Sequence, residues 1–280
     1  MKGFWVVLLA LTLLAACASP RRAENAAGTK RSRIVAMMPF VADDLYAIGA
    51  GSQLVAVSSF TDDPRARALP RVADFTSVDA ERIVELHPDV AIGITSQARL
   101  VDPLRRAGID VVLLHDDAFS DIFTNLQAVG ALSGRRTEAA AAIAQLARTT
   151  TQLHARTRSF VRKPSVFVVL GSGPIWTAGS ASYIASLIAL AGGVNAAADL
   201  HAAYGQYSAE ALLRAQPDVL VTDSAIRLDA AIDREPWRSL RAVHLHHVYT
   251  VVPTAIIERP GPQYNEGIRW LVERLTPLAT

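Results

Sequence analysis

Residues 79–93, DAERIVELHPDVAIG, and residues 208–222, SAEALLRAQPDVLVT, carry one pattern twice, 129 residues apart. In each copy a small polar residue that can cap a helix precedes a short amphipathic segment, a Pro-Asp turn and a run of β-branched and apolar residues. This order predicts a helix, a turn and a buried parallel strand. Because an internal repeat marks repeated structural units, the two copies predict two similar lobes.

The two predicted lobes also begin alike. Residues 33–39, RIVAMMP, and 165–174, SVFVVLGSGP, each combine an apolar run with a Gly or Pro turn, and helical patterns follow at 41–48 and 180–190. Strands that alternate with helices are typical of the α/β class with parallel sheets. The binding crevice of such sheets lies at the carboxyl ends of the strands, so we expect a ligand cleft between the lobes.

A long helical segment lies between the two copies. Residues 135–160 contain neither Gly nor Pro and are rich in Ala, Gln, Leu and Arg. This composition predicts a connecting helix over 135–161, with about 25 residues and a length of about 38 Å at 1.5 Å per residue. The helix would join an N-terminal lobe of residues 33–134 to a C-terminal lobe of residues 162–280. The alternative, one more packed layer of a single domain, is disfavoured by the flanking repeat.

The N-terminus has the pattern of an export signal. Lys2 precedes an apolar run at 4–14, too short to cross a bilayer core of roughly 30 Å, and the string LLAAC then ends at Cys17. We expect residues 1–17 to be a lipoprotein signal segment with Cys17 lipidated, and residues 18–32 to be a flexible tether. The alternative is a free cysteine in an ordinary signal segment. The pattern predicts an exported protein, lipid-anchored at the periplasmic or outer face of a bacterial membrane.

The composition of the chain limits its partners. The formal net charge is +2, and the basic residues are dispersed among acidic ones without a basic stripe. Nucleic acid is therefore not expected as a partner. Hydrophobic residues make up 51% of the chain, which suffices for a buried core, and the single cysteine leaves the mature protein without a disulfide.

Four strings complete a family pattern: LVAVS at 54–58, LPRVADFTSVDAERIVELHPDV at 69–90, TAGS at 177–180 and YSAEALLRAQPDVLV at 207–221. With the lipobox, the two lobes and the connecting helix, the chain resembles the helical-backbone class of periplasmic binding proteins from residue 33 to near residue 275. The resemblance implies the solute-binding subunit of an ABC importer, and not an enzyme. Its partners would be a permease dimer with its ATPase subunits, the membrane through the lipid, and a chelate-type ligand.

The resemblance also implies which residues bind the ligand. The pattern is most similar to the cobalamin-binding members of the family, whose aromatic pocket positions and acidic-basic pair Glu258-Arg259 have counterparts here, whereas Ile94 replaces a further aromatic residue. Together with a tyrosine from the polar stretch before the second repeat, the candidate ligand-binding residues are Phe60, Phe75, Trp176, Tyr204, Tyr207 and Arg259. Aromatic side chains supply large rigid contact area, and an arginine can donate to an amide or carboxylate oxygen.

The identity of the ligand stays open among chelates. The resemblance favours cobalamin or another corrinoid, and a ferric siderophore or haem is the alternative within the same importer class. Haem would require an axial Tyr or His, for which Tyr204 or Tyr207 is the candidate. The protein itself is expected to hold no cofactor, since the ligand would carry its own cobalt or iron.

Two glutamates occupy equivalent places in the two repeats. Glu81 and Glu210 both lie two residues after the helix cap, in the first turn. A carboxylate there complements the helix dipole by about 0.3–1 kcal/mol without any further function. The resemblance implies instead that each glutamate docks onto arginines of one permease subunit, which suits a two-fold partner.

The histidines give no metal-site pattern. His244, His246 and His247 in HLHHVYTV have the alternation of a solvated strand edge, and His87 and His115 add no recognisable ligand spacing. Zinc or manganese would need three or four converging His and carboxylate ligands. We therefore expect no metal site.

A lipid-anchored hydrolase is a remote alternative class. Ser172 in GSGP is the candidate nucleophile, but the string lacks the G-x-S-x-G elbow and no ordered Ser, His and Asp set follows. A phosphate loop is also absent, because neither G-K-[ST] nor a complete G-x-G-x-x-G follows. The sequence therefore indicates a binding protein.

Overall fold

The N-terminal lobe is built on one parallel sheet. The computed structural model describes residues 32–279. The five strands of this sheet pair in the order β3-β2-β1-β4-β5, and they are β1 (Ile34–Ala36), β2 (Leu54–Ser58), β3 (Arg71–Ala73), β4 (Val90–Ile94) and β5 (Val111–Leu114). The helices of the lobe are α1 (Pro39–Ala47), α2 (Ala80–Glu85), α3 (Asp102–Arg106) and α4 (Asp121–Leu132).

The first strand shows why apolar residues predominate in these strands. Successive side chains of a strand point to opposite faces of the sheet. Ile34 and Ala36 pack into the core on one face, and Val35 and Met37 pack into the core on the other. Helices that cover both faces therefore bury every residue of the strand, as expected for a parallel sheet.

The C-terminal lobe contains a parallel sheet and a small antiparallel one. The parallel sheet has the order β12-β11-β6-β9, and its strands are β6 (Ser165–Val169), β9 (Val194–Asn195), β11 (Val219–Thr222) and β12 (Val248–Thr250). The antiparallel sheet has the order β10-β8-β7, from β7 (Gly171–Ser172), β8 (Ile175–Ala178) and β10 (Tyr204–Gln206). The helices are α6 (Tyr183–Leu190), α7 (Ala209–Ala215), α8 (Arg241–His244), α9 (Ala255–Glu258) and α10 (Tyr264–Leu275). The predicted class, two α/β lobes with separate parallel sheets, is confirmed.

The repeat in the sequence is also a repeat in the structure. The Asp79 side chain accepts a hydrogen bond from the Arg82 backbone N–H at the start of α2, and the Ser208 hydroxyl accepts one from Ala211 at the start of α7. In each copy the helix is followed by a residue in the left-handed conformation that directly precedes proline: His87 at φ 45° and Gln216 at φ 40°. This backbone turn stops each helix and starts the approach to β4 or β11.

The connecting helix, α5, spans Arg136–Ala155 and has 20 residues, so it ends earlier than the predicted 135–161. Beyond it the chain turns, because the Thr157 hydroxyl donates to the His154 carbonyl and Phe160 packs against the core of the C-terminal lobe. The buried residues of α5 lie at its two ends: Ala139 packs into the N-terminal core and Leu153 into the C-terminal core. The chain thus passes from lobe to lobe through one helix.

Helix α4 also contacts both lobes. Ile122 packs into the C-terminal core, whereas Leu126 and Val129 pack into the N-terminal core. The approach of α4 to α5 requires a glycine, because a Cβ atom at Gly130 would lie 2.4 Å from the Ala139 Cβ. Helix α4 thus packs against both lobes, while α5 carries the chain between them.

The predicted export segment lies largely outside the described residues. Cys17, the signal at 1–17 and the tether up to residue 31 all precede the first described residue. Among residues 32–279, no helix combines the length and the hydropathy that a membrane span requires.

Candidate functional site

A cavity of about 460 Å³ lies between the lobes at the carboxyl ends of their strands. From the N-terminal lobe it is lined by Met38, Pro39, Phe40, Phe60, Asp62, Phe75 and Asp116. From the C-terminal lobe it is lined by Tyr204, Asp223, Ala225, Thr254, Ala255, Glu258, Arg259 and Pro260. Most of these residues lie within a few positions after the end of a strand. Because parallel strands of one sheet end at the same edge, the residues that follow them meet there. The predicted cleft between the lobes is confirmed.

Two phenylalanines form an exposed aromatic wall of the cavity. Phe60 follows β2 and Phe75 follows β3, and their ring centroids lie 5.7 Å apart. Their exposed fractions are 56% and 54%, which is unusual for side chains of this size. An apolar surface that stays open to water in this way marks a contact site for a ligand or partner.

Hydrogen bonds hold the loop that carries Phe75. The Asp74 carboxylate accepts from the backbone N–H groups of Thr76 and Ser77, both at 2.7 Å. The buried Gln97 side chain donates to the Asp74 carbonyl at 2.8 Å. The backbone of the loop is therefore fixed on both sides of Phe75.

The opposite wall contains Tyr204 on β10. Burial raises the pKa of its hydroxyl well above the ordinary value, and the nearby Asp116 and Asp117 carboxylates raise it further. The phenol is therefore neutral throughout the physiological range. Trp176 does not line the cavity, but it lies on β8 on the same face of the small sheet as Tyr204, because Ala178 and Trp176 pair with Tyr204 and Gln206. With an exposed fraction of 41%, it extends the aromatic surface beyond the cavity.

Tyr207 lies away from the cavity. Alternation along the chain places it on the other face of the small sheet from Tyr204. Its ring packs on Phe167 with a centroid distance of 5.5 Å, and its hydroxyl donates to the Asp199 carboxylate at 2.7 Å. Burial, together with Asp199, raises the pKa of the Tyr207 hydroxyl to about 12. The structure therefore separates Tyr207 from the other candidate ligand-binding residues.

Arg259 lines the cavity and links the two lobes. Its Nη1 donates to the Asp43 Oδ2 at 3.0 Å and to the Asp62 Oδ1 at 2.9 Å, and its Nη2 donates to the Phe60 carbonyl at 3.3 Å. The Arg259 and Asp43 side chains are each only 13% exposed. Burial raises the pKa of Asp43, and Arg259 opposes that shift. The charge of Arg259 is thus compensated within the protein.

Carboxylates dominate the charged part of the lining. Asp62, Asp116, Asp223 and Glu258 face a cavity whose one basic lining residue is Arg259. Burial, and then Asp117 and Asp121, raise the pKa of Asp116 to about 6. Burial, and then Asp223, raise the pKa of Glu258 to about 8. Sequence reasoning missed Asp116 and Asp223, although their positions just after the predicted strands were the available signal.

Glu81 and Glu210 lie outside the cavity. Both are exposed, in the first turns of α2 and α7. Within residues 32–279 neither side chain forms a hydrogen bond or an ion pair, whereas Glu85 on α2 pairs with Arg82. Their equivalent positions on two similar lobes leave two unpaired carboxylates at the surface.

The histidine cluster does not form the predicted strand edge. His244 ends helix α8, His246 adopts a left-handed turn at φ 58°, and β12 begins only at Val248. The helix forms because Ala242 is buried on its inner face, which the alternation of histidines does not reveal. Among residues 32–279, no three His, Cys, Asp or Glu side chains are grouped so as to hold a metal ion.

Comparison with known families decides the class of the protein. Residues 34–255 match the family described as periplasmic binding protein. The chain belongs to the periplasmic binding protein family. It is therefore a binding protein and not an enzyme, and the matched range runs from β1 to the start of α9.

Two relatives of this periplasmic binding protein cover nearly the same length. An uncharacterized ABC transporter substrate-binding lipoprotein of Bacillus subtilis, YvrC, is 26% identical to this chain. The alignment covers 98% of this chain and 97% of the relative. A vitamin B12-binding protein of Vibrio parahaemolyticus is 26% identical over 239 residues, or 84% of this chain and 86% of the relative.

Solved structures share the two-lobed architecture. The periplasmic vitamin B12 binding protein BtuF of Vibrio cholerae has a TM-score of 0.76 and 26% identity, with 88% of this chain and 97% of that chain covered. The periplasmic heme-binding protein RhuT of Roseiflexus sp. RS-1 has a TM-score of 0.80 at 22% identity, with coverage of 90% and 100%. The resemblance to the helical-backbone class is confirmed.

Proposed function

We propose that this chain is the solute-binding subunit of an ABC importer and that its solute is cobalamin or another corrinoid. The family, the lipoprotein and vitamin B12-binding names of its relatives, and the LLAAC string at Cys17 support this role. In this proposal the lipid on Cys17 holds the protein at the outer face of a bacterial membrane. The permease and its ATPase subunits are its partners.

The observation that carries the corrinoid assignment is the chemistry of the cavity. Phe60 and Phe75 offer a wide apolar surface, and the rest of the lining is rich in carboxylates. A corrinoid presents a broad apolar ring with peripheral amide N–H groups, which can donate to carboxylates. Haem carries two carboxylates of its own, and like charges in a partly buried site repel. The cavity therefore suits a corrinoid better than haem.

The neutral state of Tyr204 points the same way. An axial tyrosine binds haem iron as a phenolate, and burial raises the pKa of the Tyr204 hydroxyl. Loss of its proton is therefore unfavourable in this environment. A corrinoid needs only the ring of Tyr204 as contact area, so its binding does not require the hydroxyl to lose its proton.

Titration of the purified protein with cyanocobalamin, haem and a ferric siderophore tests the assignment. We expect cyanocobalamin to bind at micromolar concentration or below, with quenching of tryptophan fluorescence. Phe75→Ala should weaken cyanocobalamin binding by about tenfold, because it removes half of the aromatic wall. Tyr204→Phe should keep the affinity for cyanocobalamin within about twofold of that of the unaltered protein, because the ring is retained. Tyr207→Phe, on the other face of the sheet, is the matched control and should change nothing.

The alternatives give different results in the same titration. Uptake of haem or a ferric siderophore, without binding of cyanocobalamin, would show the corrinoid assignment to be wrong and leave the importer role intact. Haem bound through a tyrosine would lose its axial-ligand absorption band in Tyr204→Phe or in Tyr207→Phe, which would identify the ligating residue.

We further propose that Glu81 and Glu210 dock this protein onto the permease. Support comes from their exposure, their lack of partners and their equivalent places on the two lobes. The double variant Glu81→Lys/Glu210→Lys should lose most uptake in vesicles that contain the cognate permease and ATPase, with solute binding unchanged. The control is Glu85→Lys/Glu273→Lys, which reverses one exposed glutamate on each lobe. Equal losses in the two double variants would refute a specific docking role.

A further inference from the structure

Asp223 and Glu258 form a carboxyl pair in the C-terminal wall of the cavity. Asp223 directly follows β11, and Glu258 ends the short helix α9. The Asp223 Oδ1 accepts hydrogen bonds from the backbone N–H groups of Ala225 and Ile226, and the side chain is almost completely buried. The position of Asp223 is therefore fixed by the loop after β11, and Glu258 lines the same cavity from α9.

The two carboxyls do not ionise independently. Both line the C-terminal wall of one cavity, and neighbouring carboxylates resist carrying charge together because like charges repel. Burial, followed by the charge of Asp223, raises the pKa of Glu258 to about 8. Glu258 is thus mostly protonated at pH 7 and loses its proton above this pKa.

Among residues 32–279, the neighbours of the pair that have a raised pKa do not titrate between pH 7 and pH 9. Tyr204 and Tyr183 lie near Glu258, and burial raises the pKa of both hydroxyls far above neutrality. Asp116, which also lines the cavity, has a pKa of about 6 and is ionised above pH 7. The neighbouring Arg259 is held by Asp43 and Asp62. A change between pH 7 and pH 9 therefore reports on Glu258.

We infer that the Asp223–Glu258 pair, with Asp116 on the facing side, makes the cleft select positively charged corrinoids over negatively charged ones. This inference rests on the proposed corrinoid binding and adds the charge class of the solute. Its basis is the placement of three carboxylates around the aromatic wall, against one arginine whose charge Asp43 and Asp62 already compensate. These carboxylates attract a solute that has a cationic substituent and repel a solute that bears a carboxylate.

A matched set of three corrinoids tests the inference. The set is cyanocobalamin, the monocarboxylic acid obtained by hydrolysis of one peripheral amide, and the trimethylammonium-ethyl amide of that same acid. In low-salt calorimetry at pH 7 we expect the cation to bind more tightly than cyanocobalamin and the acid more weakly, with about tenfold between the extremes. The cation should bind several-fold more tightly at pH 9 than at pH 7, as Glu258 loses its proton.

The variant Glu258→Gln isolates the pair. The amide imitates the size and the neutral charge of the protonated carboxyl at every pH. The variant should therefore match the unaltered protein at pH 7 and lose the affinity gain between pH 7 and pH 9. Glu266→Gln is the control, since Glu266 is exposed on α10 and does not line this cavity.

The outcomes separate the inference from the proposed function. Equal affinities for the three corrinoids, or a pH-dependent gain that persists in Glu258→Gln, would overturn the charge selection and leave the corrinoid role standing. Failure of all three to bind would overturn both, because the charge selection presupposes a corrinoid.

Discussion

Replacement of Arg259 by methionine should lower the free energy of unfolding by about 2–3 kcal/mol. The arginine compensates Asp43, whose side chain is 13% exposed, and it reaches Asp43 from the other lobe. Without it, a desolvated carboxylate is left unpaired. The loss is limited because burial already raises the pKa of Asp43, so that this group can take up a proton instead. Urea unfolding at pH 7 measures the difference.

Two further variants show whether the ion pair is responsible. In the double variant Asp43→Asn/Arg259→Met, the loss of unfolding free energy should be smaller than the sum of the losses in the two single variants. The reason is that neither partner is left as an unpaired buried charge. Arg227→Met is the matched control, since Arg227 and its partner Asp229 are 70% and 72% exposed. Exposed pairs contribute little, so the control should change stability by less than about 0.5 kcal/mol. If Arg259→Met resembled this control, the buried link would have no energetic importance.

The neighbouring residue should respond in the opposite direction. Asp44 on α1 is 1% exposed, and neither oxygen of its carboxyl has a hydrogen-bond partner within residues 32–279. Burial, with a smaller effect of Asp43, raises the pKa of Asp44 well above its ordinary value. Asp44→Ala should therefore raise the free energy of unfolding by about 1–3 kcal/mol at pH 7.5, because an unsatisfied buried polar group is removed.

The pH dependence gives this prediction its sign. A group with a raised pKa in the folded state contributes most to stability below its unfolded pKa, and that contribution falls as pH rises toward the folded value. The advantage of Asp44→Ala should therefore grow from pH 4 to pH 7.5 in urea unfolding. Asp44→Asn keeps an unpaired polar group but cannot ionise. Its advantage over the unaltered protein should therefore grow with pH by the same amount as that of Asp44→Ala and stay smaller at every pH. A lower stability of Asp44→Ala at pH 7.5 would show that Asp44 has a favourable role.

The architecture could be predicted because its signals are local. A helix cap, a Pro-Asp turn and an apolar run are each fixed by neighbours in sequence, so DAERIVELHPDVAIG and its copy predicted α2 and α7 with the strands that follow them. The end of α5 could not be predicted in this way. It depends on the packing of Phe160 against a core formed by distant residues.

The site was predicted less completely, because its partners come from distant parts of the chain. The bond between Arg259 and Asp43 joins residues 216 positions apart, and no sequence pattern links them. Tyr204 and Tyr207 looked equivalent in sequence, but the register of the three-residue strand β10 sends them to opposite faces. Asp116 and Asp223 are single acidic residues after strands, and only the cavity shows that they meet around one space.

The packing of the two ends of α5 into different cores affects how a solute is captured. Large hinge motions occur at a few loop residues that absorb changes in φ and ψ, and a continuous helix provides none along its length. Because the two ends of α5 are anchored in different cores, the gap between the lobes is set largely before any solute arrives. Binding then requires little ordering of the protein, so most of the contact energy is retained as affinity. The same rigidity favours discrimination by shape, since a solute of the wrong width meets walls that do not adjust.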